Sequence, residues 1–197
     1  MDAESIPVYI IRDQHHEDKS NSVASIFSSK VFKAIIPNIP QNINTNKSLK
    51  YNHFEAYQIS WCLKDAGKHF PENPIIIVKD STICTSDPNT VADIIKTTLS
   101  SSQTQFHLCY LCLWMDKCQL HSNRIPIPGK SFNIVQSQSP HGIQALLFTP
   151  QGRETILGHQ PMNNGKIIHT RESLSETFNR EIMSGNLTAF CIVPNLM

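Results

Sequence analysis

The residues best placed to do chemistry are Lys79, Asp80 and Ser81, because they follow the most apolar run of the chain, Ile75-Ile76-Ile77-Val78. A carboxylate at that point can ligate a divalent cation, and an ammonium can neutralise a phosphate. A plain solvated strand end, with a neighbouring ion pair worth little, is the competing reading of the same three residues. Cys109, Cys112, Cys118 and His121 have a spacing that invites a zinc reading. However, Tyr110, Leu111, Leu113 and Trp114 between them look like strand core. On a regular strand Cys109 and Cys112, an odd number of residues apart, face opposite sides. The reading adopted is buried thiols acting as small hydrophobes. His15 and His16, with Asp13, Glu17 and Asp18, gather possible ligands on one loop, yet adjacent residues rarely converge on one ion. Ser137-Gln138-Ser139-Pro140-His141-Gly142 could present hydroxyls and an imidazole to a sugar or phosphate, or could be an ordinary turn. The phosphate-loop, dinucleotide, zincin and nucleophile-elbow motifs are all missing from the sequence.

These groups need a scaffold, and the apolar pattern supplies one. Val8 to Ile11, Val31 to Ile36, Ile75 to Val78, Phe106 to Trp114, Phe132 to Val135, Ile143 to Phe148 and Leu187 to Val193 read as strands. Helices are predicted from about Lys19 to Ser29 and from Ser48 to Ala66, the latter with Gly67 as its C′ residue. Asp87-Pro88 opens another helix with an N-cap and a proline at the first turn. Thr149-Pro150 starts a short helix ending at Leu157-Gly158, and Ser173 with Glu176 forms a capping box for a last one through Met183. Pro37 to Lys47 and Ile125 to Lys130 read as loops. Strands alternating with helices predict one α/β domain over residues 1–197, with a largely parallel sheet flanked by helices. Ligands of such sheets bind beyond the carboxyl ends of the strands. The stretches after Ile11, Val78 and Val135 are therefore the places to look.

Composition excludes several classes of function. Of 197 residues, 40% are hydrophobic and 17% charged, which is globular rather than disordered. Seventeen basic against sixteen acidic residues leave a net charge of +1, with no field to draw in nucleic acid or acidic membranes. Six cysteines are too sparse for a disulfide scaffold. The N-terminal stretch carries acid where a signal peptide needs base, and no run of apolar residues is long enough for a membrane span. The expected location is therefore the cytoplasm.

Several stretches, in order, resemble the family 25 glycosyltransferases, which include lipopolysaccharide and collagen galactosyltransferases. VYIIRD resembles the family's first strand, which runs into an arginine-rich loop. NHFEAYQISWCLKDAGKHFPENPIIIVKDS resembles the helix and strand that lead to the family's Glu-Asp-Asp. SPHGIQALLFTPQGRETILG and RESLSETFNREIMSGNLTAFCIVPNLM resemble a later strand-helix unit and the closing helix and strand. Together they cover most of the chain, and the likeness is to the compact versions found in large DNA viruses. That origin would make the host cytoplasm or the virion the place where the protein works.

The resemblance implies a GT-A type nucleotide-diphospho-sugar fold and transfer of a hexose to an acceptor hydroxyl on a glycan or protein. It puts Asp80 at a manganese or magnesium ion bridging the donor diphosphate. Arg12 lies on the nucleotide side, Lys79 and Ser81 at the diphosphate, and Gln138, His141 and Gln144 toward the sugar or acceptor. Asp116 or Glu172 supplies the base. The chain departs from the family at the metal motif, where Lys79-Asp80-Ser81 stands for Glu-Asp-Asp. Three outcomes follow: a cation held by one carboxylate and substrate phosphates, a metal-independent site in which Lys79 replaces the ion, or loss of catalysis. In the last case the chain is a glycosyltransferase-fold structural or interaction protein, for example a virion or assembly component. A protein partner or a second copy of the chain could complete the site.

Overall fold

The structure, a computed structural model, describes residues 5–13, 19–27, 30–39, 51–101, 105–112, 124–159, 162–163, 166–167 and 173–197. Asp116, Glu172, Cys118, His121 and the His15-His16 pair lie outside these residues. In chain order the main elements are β1 (Ile6–Ile11), α1 (Ser20–Ile26), β2 (Phe32–Ile35), α2 (Tyr51–His69), β3 (Ile75–Lys79) and α3 (Pro88–Ser100). There follow β4 (Leu108–Cys112), β5 (Arg124–Pro126), β6 (Asn133–Ser137), β7 (Ala145–Phe148) and α4 (Pro150–His159). A two-stranded ribbon, β8 (Met162–Asn163) and β9 (Lys166–Ile167), precedes α5 (Leu174–Met183) and β10 (Ala189–Val193).

One eight-stranded sheet, in the order β2-β1-β3-β7-β4-β10-β6-β5, forms the middle layer. Its strands alternate by residue between two apolar clusters, as the two-residue period of a strand requires. Val8, Ile10, Ile76, Val78 and Leu147 face the side covered by α1 and α3, where Val23, Val91, Ile94 and Ile95 meet them. Tyr9, Ile11, Ile75, Ile77 and Leu146 face α2, α4 and α5, represented by Ile59, Leu63, Ile156 and Phe178. A sheet covered on both faces explains why its strands read as continuous apolar runs. The architecture is thus a three-layer α/β arrangement, as the element pattern predicts.

The sheet is mixed rather than simply parallel. Strands β1, β2 and β3 run parallel to one another, as do β4 and β10. The reversed strand β7 pairs antiparallel with both β3 and β4, and β6 pairs antiparallel with β10 and β5. Parallel neighbours need a crossover, usually a helix. No helix lies between β4 and β7 among the described residues, and the tight turn between β5 and β6 turns the chain straight back, with Gly129 at φ 69° and Ile127 N–H bonded to Phe132 O. Strand β5, the start of the predicted 125–130 loop, is one product of that turn.

Two boundaries shift for physical reasons. Helix α2 continues through Gly67, whose missing side chain faces open space, and ends at His69 before Pro71. The turn that follows is held by the buried Arg153 of α4, whose guanidinium donates to the carbonyls of Phe70, Pro71 and Asn73. On β4, one extra residue lies opposite β7 between Tyr110 and Cys112, so Cys112 sits across from Ala145 where Leu111 would stand on a regular strand. That bulge turns Cys112 toward the cluster that also holds Cys109. The two thiols expected on opposite faces therefore share one.

Helix α4 approaches β4 closely. A Cβ at Gly152 would lie 1.9 Å from the carbonyl oxygen of His107, so only glycine fits. Gly152→Ala is expected to lower the unfolding free energy by about 2 kcal/mol or more, read from the urea midpoint at unchanged slope. Nearby, Nδ1 of His107 accepts the Thr188 N–H at 2.8 Å, which requires a neutral ring, and burial holds its pKa below 6.5. The unfolded chain therefore binds a proton that the folded one resists. Stability from this group is complete above pH 6.5 and falls as pH drops from there toward the lower folded value. Urea midpoints of the wild type and His107→Gln at pH 7.5 and 5.5 check this, the variant losing less on acidification.

Candidate functional site

The carboxyl ends of β1 and β3 lie side by side, with Ile11 level with Lys79. Residues that follow these strands are brought together there. Asp80 N–H bonds to Ile11 O at 2.9 Å, and in return Asp80 Oδ1 accepts the Asp13 N–H at 2.8 Å. Ser81 Oγ donates to Asp13 Oδ2 at 2.9 Å. The latch is out of water: Asp80 retains 1% of its exposure and Asp13 6%. The other oxygen of Asp80, Oδ2, is buried with no hydrogen-bond partner among the described residues. A buried carboxylate oxygen left unpaired is costly, and native structures keep few of them without a reason.

Strand parity decides where Lys79 goes. Ile75, Ile77 and Lys79 share a face, so the lysine points toward α2 and pairs with Glu55. Both side chains are nearly excluded from solvent. Burial pushes the Glu55 carboxyl up, Lys79 pulls it down, and Asp13 pushes it up further. Glu55 sits on the stripe of α2 that buries Ile59, Cys62, Leu63 and Ala66. One turn along, Gln58 holds the main chain after β1 on both sides: its Oε1 accepts the Arg12 N–H and its Nε2 donates to the Arg12 carbonyl. Arg12 is fixed at its backbone while its side chain is exposed. Below this layer the buried Tyr9 hydroxyl donates to Asp65 Oδ2 at 2.7 Å, and burial together with that bond raises the phenol well above its ordinary range.

The remaining predicted residues divide. Gln144 belongs to the cluster through its carbonyl, which accepts the Lys79 N–H and the Thr82 hydroxyl. His141 is exposed and close enough to Glu176, at the start of α5, to favour its ionised form, although the Ser173 bonds do most to hold that carboxyl low. Gln138 lies elsewhere. It follows Ser137, which the pairings through Ala189, Leu108 and Phe148 set level with Ile75. At about 3.3 Å per residue, that is roughly 16 Å along the sheet from Asp80. Glu55 and Gln58 were not read from the sequence as site residues. Their signal is available there, since both are polar groups spaced along an apolar helical stripe and each requires a buried partner.

Counting the described residues alone, Asp13, Asp80 and Glu55 stand against Lys79, so the cluster carries more carboxylate than ammonium. Such a donor set attracts a hard cation. Among the described residues, no group of three or more His, Cys, Asp or Glu side chains is gathered to hold a metal alone. A magnesium-like ion suits this arrangement, because it is commonly bound by one or two carboxylates plus substrate phosphates and water. Among the described residues, Asp80 Oδ2 is the carboxylate oxygen of this cluster that neither a hydrogen bond nor the Lys79 ion pair occupies. Compared with models of known protein families and with curated proteins, the sequence matches none. Among the described residues, no helix is long and apolar enough to cross a membrane.

The buried pair yields a clear expectation. Glu55→Leu alone takes from the buried Lys79 ammonium its carboxylate partner and should cost about 3–5 kcal/mol, whereas Glu55→Leu with Lys79→Met should recover most of that loss. Urea unfolding of the four members of this cycle measures it.

Proposed function

We propose that the chain is a glycosyltransferase-like domain of GT-A type that binds a nucleotide-diphosphate sugar at the carboxyl ends of β1 and β3. The observation that carries this reading is the solvent-excluded Oδ2 of Asp80, which has no hydrogen-bond partner among the described residues and follows the fully buried strand β3. Asp80, with Asp13 beside it, would hold a manganese or magnesium ion, which would supply positive charge against that of the departing diphosphate. Arg12, clamped at its backbone by Gln58, presents its guanidinium to the nucleotide. Ser81 keeps Asp13 oriented. Acceptor attack needs a base for the hydroxyl proton, a role assigned to Asp116 or Glu172. Of the two ways to hold the diphosphate, the metal version is favoured over the lysine version, because the Lys79 ammonium is already turned to Glu55.

That same ion pair favours one other reading. A lysine locked to a helix contributes to stability rather than to a ligand, as expected of a glycosyltransferase-fold protein that has lost transfer and serves as a structural or interaction component.

Calorimetric titration with uridine-diphosphate hexoses, with and without manganese, separates the two. The transferase reading expects binding that requires manganese and weakens at least about tenfold in Asp80→Asn, a loss of about 1.4 kcal/mol. A folded wild-type protein that binds no nucleotide sugar in either condition leaves the interaction reading.

A further inference from the structure

Five free cysteines are described, and they are not alike. Cys62, Cys109 and Cys191 are sealed in the core, while Cys84 and Cys112 are half-buried. Both of the latter lie against the cluster between the sheet and α3. Cys84 is in the segment linking β3 to α3, four residues after Asp80, and Cys112 ends β4. The bulge in β4 is what brings Cys112 to this face, opposite Ala145. A short chain of backbone bonds holds the two segments together: Thr85 N–H donates to Leu196 O at 3.2 Å, and Leu196 N–H donates to Leu111 O at 3.0 Å. Each cysteine is thus the immediate neighbour of a residue bonded to Leu196. The thiols sense one another electrostatically, Cys84 adding to the burial that pushes Cys112 up. Burial alone pushes Cys84 up.

We propose that Cys84 and Cys112 are a dithiol pair that closes to an intramolecular disulfide by exchange with a small-molecule disulfide such as oxidised glutathione. One cysteine thiolate attacks a sulfur of the small disulfide and expels one small thiolate. The second cysteine thiolate then attacks the mixed disulfide, forms the Cys84–Cys112 bond and expels the second. The protein dithiol loses two electrons and two protons, which the two released thiols carry away. Raised thiols supply little thiolate at neutral pH, so exchange is slow there and quickens as pH rises. The closed bond ties the segment holding Ser81 and Thr82, and hence their bonds to Asp13 and Gln144, to the end of β4. This pairing does not depend on the chain's being a transferase.

The test uses the full-length native chain, incubated with oxidised glutathione at pH 8.5, alkylated and mapped by mass spectrometry. The expected product is a dithiothreitol-reversible link between the tryptic peptides 80–96 and 97–117. It should be abolished by Cys84→Ala and by Cys112→Ala and retained in Cys118→Ala. Because 97–117 also contains Cys109, the Cys112→Ala result assigns the partner. Amide exchange over residues 81–85 should slow by about tenfold on oxidation. Persistent glutathione adducts on single cysteines, a link to Cys118, or full alkylation of a protein whose near-ultraviolet dichroism stays native overturns the pairing. A link without slowed exchange overturns the tethering.

Discussion

The organising constraint is the disposal of charge at the joint carboxyl end of β1 and β3. Two parallel strands covered on both faces leave their following residues in a place with little water. Asp80 answers part of this by bonding across the strand boundary in both directions, its N–H to Ile11 and its carboxylate to the Asp13 N–H. Asp13 is held in turn by Ser81, and Gln58 reaches over from α2 to occupy both polar groups of Arg12. Nearly every polar atom in this layer has work to do in fixing the chain. Among the described residues of this layer, Glu55 Oε1 and Asp80 Oδ2 are buried without a hydrogen bond; the first is ion-paired with Lys79, and on the second the functional reading rests.

The Lys79–Glu55 pair is the second part of the same balance. Buried ion pairs add little net stability, because desolvation offsets attraction, but breaking one is costly. Here the pair ties β3 to α2 on the face where the Tyr9–Asp65 bond makes a second polar link from β1. It also takes the lysine out of reach of a bare phosphate. What remains among the described residues is carboxylate in excess, an environment that repels a bare polyphosphate.

Much of the scaffold was legible because burial writes directly into sequence. Ile75 to Val78 could only be a covered strand, Asp87-Pro88 and Ser173 with Glu176 form the caps their chemistry suggests, and the three-layer order follows from alternation. Strand direction was not legible between residues 112 and 144, because antiparallel insertion depends on which partner is vacant rather than on local pattern. The bulge in β4 was invisible for a related reason: one extra residue on one strand reverses parity without leaving a compositional trace. At the candidate site, the position of Asp80 and Ser81 is legible from their place after a buried strand. Glu55 was passed over because a glutamate on a helix is ordinarily solvated, and only its phase with Ile59, Cys62 and Leu63 reveals it. The separation of Gln138 from Gln144 was not legible, because the loop between them spans the height of the sheet and proximity in sequence does not carry both to the same end.

The most direct test is anomalous diffraction from crystals of the native chain soaked with manganese and a uridine-diphosphate sugar. The account predicts a manganese peak within about 2.0–2.3 Å of Asp80 Oδ2, the range for a hard cation on a carboxylate, with diphosphate oxygens completing its shell. Ordered nucleotide sugar bound elsewhere, or crystals in which that oxygen stays without a cation while manganese occupies other sites, would contradict it.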